Sequence, residues 1–125
     1  MRIAIYIIIF GALGCLARYY LSGWVYHLLG RNFPYGTFAV NIASAFVIGL
    51  IMEYGILSEV ISFDLRMGIV VGFLGGLSTL SALSYETFRL LQDGKIVLAI
   101  INGTANIVVC ILFTWFGVLA ARQLI

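Results

Sequence analysis

The chain has 125 residues, of which 63% are hydrophobic and only 10% are charged, and its formal net charge is +2. Soluble domains carry roughly 25% charged residues, and a soluble protein this apolar would expose large hydrophobic patches and aggregate. The composition therefore predicts one integral membrane domain, 1–125, in contact with the lipid bilayer. The small, dispersed positive charge argues against nucleic acid as a partner.

Four apolar segments are long enough to cross a bilayer as helices, which takes about 20 residues each. They lie at about 3–29, 35–57, 67–91 and 96–121, and short polar breaks separate them. Long continuous apolar runs argue against the alternating strands of a β-barrel. The predicted fold is an all-α membrane protein with four transmembrane helices.

The basic residues are divided almost evenly between the two membrane faces that four spans would define. The face with both termini has three and the other face has four: Arg2, Arg66 and Arg122, against Arg18, Arg31, Arg89 and Lys95. The positive-inside rule then gives no preferred orientation. Either another feature orients the chain, or copies insert both ways and pair antiparallel. Four helices can hardly enclose a pathway alone, so we expect an oligomer in either case.

Polar residues inside membrane spans are costly, and each suggests a function by default. Arg18, about 15 residues into the first span, is either an interfacial anchor or a fixed positive charge that attracts an anion. Asn41 lies a few residues past the start of the second span, in GTFAVN. Its amide can donate two hydrogen bonds, which also suits it to joining two helices.

The third span contains GFLGGLSTLSALSYE at 72–86. Each glycine costs a helix roughly 1 kcal/mol relative to alanine, so this stretch predicts either a glycine-rich packing helix or a helix broken near Gly75–Ser78. A break would free main-chain carbonyls, which are tolerated in a membrane only when buried or lining a cavity. Such carbonyls commonly coordinate a cation.

Two lanes of side chains follow the predicted break and run toward Glu86. One lane is hydroxylic, with Ser81 and Ser84, and the other is aliphatic, with Leu80 and Leu83. In the fourth span, four residues recur at a spacing of four: Asn102, Asn106, Cys110 and Thr114. That spacing keeps them near one face of a helix over about 18 Å. The stripe is either a set of interhelical contacts or one wall of a pathway.

The chain shows no nucleophile–base pair, metal-ligand cluster or phosphate loop, so an enzyme is not predicted. What remains is a pathway lined by neutral N–H and O–H donors, with positive charge near its mouths. Neutral donors suit an anion better than a cation. A small, strongly hydrated anion needs close donors to replace its water.

Three stretches, GALGCLARYYL, GTFAVN and GFLGGLSTLSALSYE, resemble the Fluc (CrcB) fluoride channel family of bacteria, and the resemblance covers essentially the whole chain. It implies passive export of fluoride across the inner membrane, in which the protein would be multi-pass. It also implies an antiparallel, dual-topology homodimer with two fluoride pathways and a structural sodium ion on the dimer axis.

The resemblance further implies roles for individual residues. Gly75 and Ser78 would bind sodium through their main-chain carbonyls, and Asn41 would donate to the anion. The other residues along the anion pathway would be Leu80, Ser81, Leu83, Ser84, Asn102, Asn106, Cys110 and Thr114. Arg18 matches the arginine of the first-helix motif, and Glu86 matches an acidic residue near the pore mouth.

The chain departs from the family where TTFSTFS is typical, because it reads STLSALS. A phenylalanine edge can face an anion, whereas Leu80 and Leu83 offer only apolar bulk. Either the pathway relies on hydroxyl and asparagine donors, or conduction is impaired. The alternatives are a non-conducting or heteromeric partner subunit, or a small four-helix multidrug exporter. An exporter of that type would need a deep carboxylate in its first helix, which this chain lacks.

Overall fold

The computed structural model of the protein describes residues 1–124 and is all-helical over that range. Its four membrane-crossing helices are Arg2–Leu29, Tyr35–Ser58, Phe63–Gln92 and Ile96–Gln123. No strand occurs among the described residues. The prediction of an all-α protein with four transmembrane helices is confirmed.

Local capping sets where the helices begin and end. The third helix begins at Phe63, earlier than the sequence pattern suggests, because the hydroxyl of Ser62 accepts a hydrogen bond from the Leu65 N–H at 3.3 Å. Asp64 adds a favourable negative charge to this first turn. The first helix ends at Gly30, whose φ of 82° suits glycine.

The third helix consists of two halves with different internal structure. Its N-terminal half, 63–77, starts as an α-helix, widens into a π-helix over Gly68–Leu74 and ends with an α-helical turn, Gly75–Leu77. Its C-terminal half is a regular α-helix, Leu80–Gln92. The predicted break is confirmed, although Gly75 itself stays helical and the extended residues are 78 and 79. π-Helical turns are frequently found at functional sites.

Glycines let the helices pack with their backbones in contact, as small residues do in membranes. A Cβ added at Gly49 of the second helix would overlap the Thr114 carbonyl of the fourth helix. A Cβ at Gly117 would overlap the Phe46 carbonyl in the same way. The second and fourth helices therefore form one tightly packed pair.

The first helix packs against the N-terminal half of the third helix through Gly14, where a Cβ would overlap the Phe73 carbonyl. A small buried core of Val40, Leu74 and Leu77 lies beside this contact. It holds the second helix against the end of the N-terminal half. The core therefore lies directly before the position at which the third helix breaks.

Candidate functional site

The third-helix break comprises Ser78 and Thr79, whose backbones are extended, with φ/ψ of −82°/159° and −154°/116°. Their hydroxyls finish one half of the helix and start the other. Ser78 Oγ donates to the Leu74 carbonyl at 2.9 Å, and Thr79 Oγ1 accepts from the N–H of Ala82 at 3.2 Å. Thr79 thus acts as the N-cap of the C-terminal half.

Four main-chain carbonyls, those of residues 75–78, lose their helical donors at this break, and two of them belong to the predicted sodium ligands, Gly75 and Ser78. In a continuous helix, the Gly75 carbonyl would accept from the N–H of Thr79, and the Ser78 carbonyl from the N–H of Ala82. Instead, the N–H of Thr79 donates to Asn41 Oδ1 at 2.8 Å, and that of Ala82 donates to the Thr79 hydroxyl. No other backbone N–H in residues 1–124 donates to either carbonyl. Both oxygens are therefore available to a hydrogen-bond donor or a cation.

An open groove with a volume of about 410 Å³ passes this break, between the second helix, the fourth helix and both halves of the third helix. It brings together eight of the predicted site residues: Asn41, Gly75, Ser78, Leu80, Leu83, Asn106, Cys110 and Thr114. No charged side chain is among the described residues that line it. The groove therefore offers neutral polar atoms in an otherwise apolar wall.

The other five predicted site residues do not line the groove: Arg18, Ser81, Ser84, Glu86 and Asn102. Ser81 and Ser84 are exposed on the C-terminal half of the third helix. Ser81 Oγ lies 3.3 Å from Thr79 Oγ1, next to the break. Arg18 is half-buried in the first helix and takes part in no ion pair within residues 1–124.

The asparagines of the second and fourth helices hydrogen-bond to one another. Asn41 Nδ2 donates to Asn106 Oδ1 at 3.0 Å, and Asn106 Nδ2 donates to Asn102 Oδ1 at 3.1 Å. Asn102 and Asn106 are 0% and 3% exposed. The polar stripe of the fourth helix therefore divides, because Asn102 lies away from the groove while Asn106, Cys110 and Thr114 line it.

A carboxylate and two hydroxyls meet at the membrane face opposite the termini. The Tyr26 hydroxyl donates to Glu86 Oε2 at 3.0 Å, and the Thr37 hydroxyl donates to Glu86 Oε1. The Arg31 guanidinium lies over the Tyr26 ring, 4.5 Å from its centroid, which is a cation–π contact. The first and second helices together hold the Glu86 carboxylate in place.

A second cavity of about 360 Å³ opens beside this carboxylate. Its lining includes three basic and two acidic residues: Arg31, Arg89, Lys95, Glu86 and Asp93. A cavity with more positive than negative charge raises the local concentration of anions. This cavity, which we call the basic mouth, is therefore suited to collecting an anion from water.

Sequence reasoning missed four residues that the structure brings to the site: Tyr26, Thr37, Ser44 and Thr79. Two of them had a usable signal, since Thr37 and Ser44 lie four residues before and three residues after Asn41 and so share its helix face. Ser44 lines the groove, is 5% exposed, and its hydroxyl oxygen has no partner among the described residues. Thr79 gave no such signal, because its partner comes from another helix.

Comparison with known proteins gives a consistent result over nearly the whole chain. A family model described as "CrcB-like protein, Camphor Resistance (CrcB)" matches residues 5–118. A protein of Geotalea daltonii named fluoride-specific ion channel FluC is 60% identical over 99% of this chain and 100% of its own length. A protein with the same name from Geotalea uraniireducens is 58% identical over 99% of this chain and 100% of its own length. Another, from Pelobacter propionicus, is 57% identical over 100% of this chain and 97% of its own length. The chain belongs to the CrcB family.

Proposed function

We propose that this protein is a fluoride-specific ion channel of a bacterial membrane, which lets fluoride leave the cell passively across the inner membrane. The observation that carries the proposal is the 60% identity, over 99% of the chain, to a protein named as such a channel. Four membrane-crossing helices and a groove with neutral polar atoms in an apolar wall fit this activity.

Fluoride would enter at the basic mouth and pass along the groove beside the C-terminal half of the third helix. Fluoride is a small, strongly hydrated anion, and a pathway must replace its water with close donors. Ser44 has a hydroxyl with no protein partner, and Asn41 lies beside the groove. Leu80 and Leu83 supply apolar wall in the same groove.

The break also fits a structural sodium ion. The carbonyl oxygens of Gly75 and Ser78 have both lost their helical donors, because Asn41 and Thr79 take those N–H groups. Free carbonyl oxygens at an interrupted membrane helix suit a sodium ion. When bound, the ion would supply a fixed positive charge, and Gly75 and Ser78 would hold it through their main chain.

A second copy of this chain would cover the groove in an antiparallel homodimer. The groove is open on one side, and Leu80 on its wall is 75% exposed. The near-equal division of basic residues between the two faces favours insertion in both orientations. In a Cys15→Ser, Cys110→Ser background, a cysteine introduced as Gln123→Cys, which leaves the basic residues unchanged, would be labelled from both sides of the membrane. Labelling from one side only would contradict dual topology.

Ion flux from liposomes tests the channel activity directly. Purified protein reconstituted into liposomes loaded with potassium fluoride should release fluoride when potassium can also cross, while liposomes loaded with potassium chloride should keep their chloride. Protein-free liposomes are the control. Comparable chloride release, or no fluoride release, would contradict a fluoride-specific channel.

The leucines in the groove wall separate a conducting channel from a partner subunit. Because hydroxyl and amide donors line the same groove, the wild-type chain should conduct, and Leu80→Phe with Leu83→Phe should change only the rate. Release by the phenylalanine variant and none by the wild type would instead identify a non-conducting subunit. Pull-down after co-expression with a phenylalanine-containing homologue would then test for a heteromer.

A further inference from the structure

We propose that Asn106, Asn102 and Thr87 are positioning residues, which hold the third-helix break open through a one-way chain of hydrogen bonds. The chain starts at the N–H of Thr79 in the break and ends at the carbonyl of Leu83 in the C-terminal half of the same helix. It passes through the second and fourth helices on the way. Neither Asn102 nor Thr87 lines the groove, so these two residues influence the break without contacting the groove.

The chain of hydrogen bonds has five links. The N–H of Thr79 donates to Asn41 Oδ1 at 2.8 Å, and Asn41 Nδ2 donates to Asn106 Oδ1 at 3.0 Å. The remaining links are Asn106 Nδ2 to Asn102 Oδ1 at 3.1 Å, Asn102 Nδ2 to Thr87 Oγ1 at 2.9 Å, and Thr87 Oγ1 to the Leu83 carbonyl at 2.7 Å. All five distances lie in the ordinary range for hydrogen bonds.

A single backbone group determines the direction of every link. The N–H of Thr79 can only donate, so Asn41 must present its oxygen to the break and its NH₂ to Asn106. Asn106 must then accept through its oxygen and donate through its nitrogen to Asn102, whose main-chain carbonyl lies at 2.8 Å and whose side-chain oxygen lies at 3.1 Å. The same reasoning makes Thr87 accept from Asn102 and donate onward. Changing one member therefore disturbs the orientation of those before it.

Burial makes this chain of hydrogen bonds costly to interrupt. Asn102 and Asn106 are almost completely buried, and Asn102 does not line the groove, so no water is at hand to replace its lost partner. A buried polar group left without its partner carries its full desolvation cost. Each amide is therefore held in one orientation.

The chain of hydrogen bonds also explains why the third helix is not continuous through the break. The N–H of Thr79 would satisfy the Gly75 carbonyl in a continuous helix, but Asn41 accepts it instead. Asn41 is held in that orientation by Asn106 and, through it, by Asn102 and Thr87. Without them, the N–H of Thr79 is free to return to Gly75 or to exchange with solvent in the groove.

Hydrogen exchange at the Thr79 amide tests this proposal without any measurement of transport. Labelling threonine with ¹⁵N gives five amide signals, from Thr37, Thr79, Thr87, Thr104 and Thr114. In lipid nanodiscs, Thr87→Val should lower the protection of the Thr79 amide by about tenfold, the equivalent of about one hydrogen bond. Thr87→Ser keeps the hydroxyl and should leave that protection unchanged.

The matched control is Thr104→Val, which makes the same change at an exposed position of the fourth helix. It should leave the Thr79 amide unaffected. Asn106→Leu should have the larger effect, because it removes a central link, and the Thr114 amide reports whether that variant still folds. Unchanged Thr79 exchange in Thr87→Val would overturn the proposal, whatever happens to Asn106→Leu.

The consequence for transport rests on the proposed function and needs a separate measurement. If the break must stay open for conduction, Thr87→Val should lower fluoride flux and Thr87→Ser should not. Absence of flux in the wild type would count against the channel and leave the exchange result intact. Altered exchange with unchanged flux would show that the chain positions the break but does not limit conduction.

Discussion

The hydroxyl of Tyr26 donates a 3.0 Å hydrogen bond to the carboxylate of Glu86, and this bond joins the end of the first helix to the C-terminal half of the third helix. Thr37 of the second helix donates to the other carboxylate oxygen. The first three helices therefore meet at one charged group. Tyr26 and Glu86 both line the basic mouth, where we propose that an anion enters.

Removing the Tyr26 hydroxyl should weaken the contact among the three helices at the basic mouth. Hydrogen bonds to charged groups contribute more than neutral ones, so Tyr26→Phe should lower the free energy of unfolding by about 1–2 kcal/mol. Denaturation in mixed detergent micelles measures this. The control is Tyr35→Phe, since Tyr35 is exposed and its hydroxyl bonds to no described residue. Equal losses in the two variants would contradict a specific role for the Tyr26–Glu86 bond.

The Ser44 hydroxyl should matter for transport rather than for stability. Its oxygen is buried without a partner in residues 1–124, so removing it breaks no bond in the protein. Ser44→Ala should therefore leave the unfolding free energy within about 0.5 kcal/mol of wild type or raise it. If the hydroxyl donates to fluoride, the same variant should lower fluoride flux several-fold. A lower free energy of unfolding with unchanged fluoride flux would show that the hydroxyl serves stability and not transport.

The contact between the second and fourth helices should not tolerate a methyl group. A Cβ at Gly49 would overlap the backbone carbonyl of Thr114, and backbone cannot move aside as a flexible side chain can. Gly49→Ala should destabilise the protein by about 1–3 kcal/mol, the usual range for overpacking. Gly23→Ala is the matched control, because no atom lies within 4 Å of a Cβ there. It should be neutral or slightly stabilising, since alanine favours helix.

Sodium should be needed for full activity if the Gly75 and Ser78 carbonyls bind it. Fluoride flux should fall when N-methylglucamine replaces sodium during purification and assay, and it should return when sodium is added back. Ser78→Ala should keep this sodium dependence, because the main chain would hold the ion. The variant loses only the bond from Ser78 Oγ to the Leu74 carbonyl. Flux that is indifferent to sodium would contradict the proposed ion.

The membrane class, the four helices and the approximate place of the third-helix break are all predicted by the amino-acid sequence. These features follow from composition, from the length of apolar runs and from the cost of glycine in a helix, all of which are local. The small residues that allow close helix packing were also visible, although their partners were not. Arg18 and Glu86 stood out because charges in apolar spans are rare.

The exact residues of the break, and the groups that it frees, depend on how the helices pack. Gly75 and Gly76 remain helical, and the chain is extended at Ser78 and Thr79 because Asn41, 38 residues earlier, accepts the N–H of Thr79. The stripe of Asn102 and Asn106 fitted either an interhelical contact or a pathway wall, and only packing gave the amides partners. Hydrogen bonds between distant segments depend on how helices pack, and no local pattern encodes that.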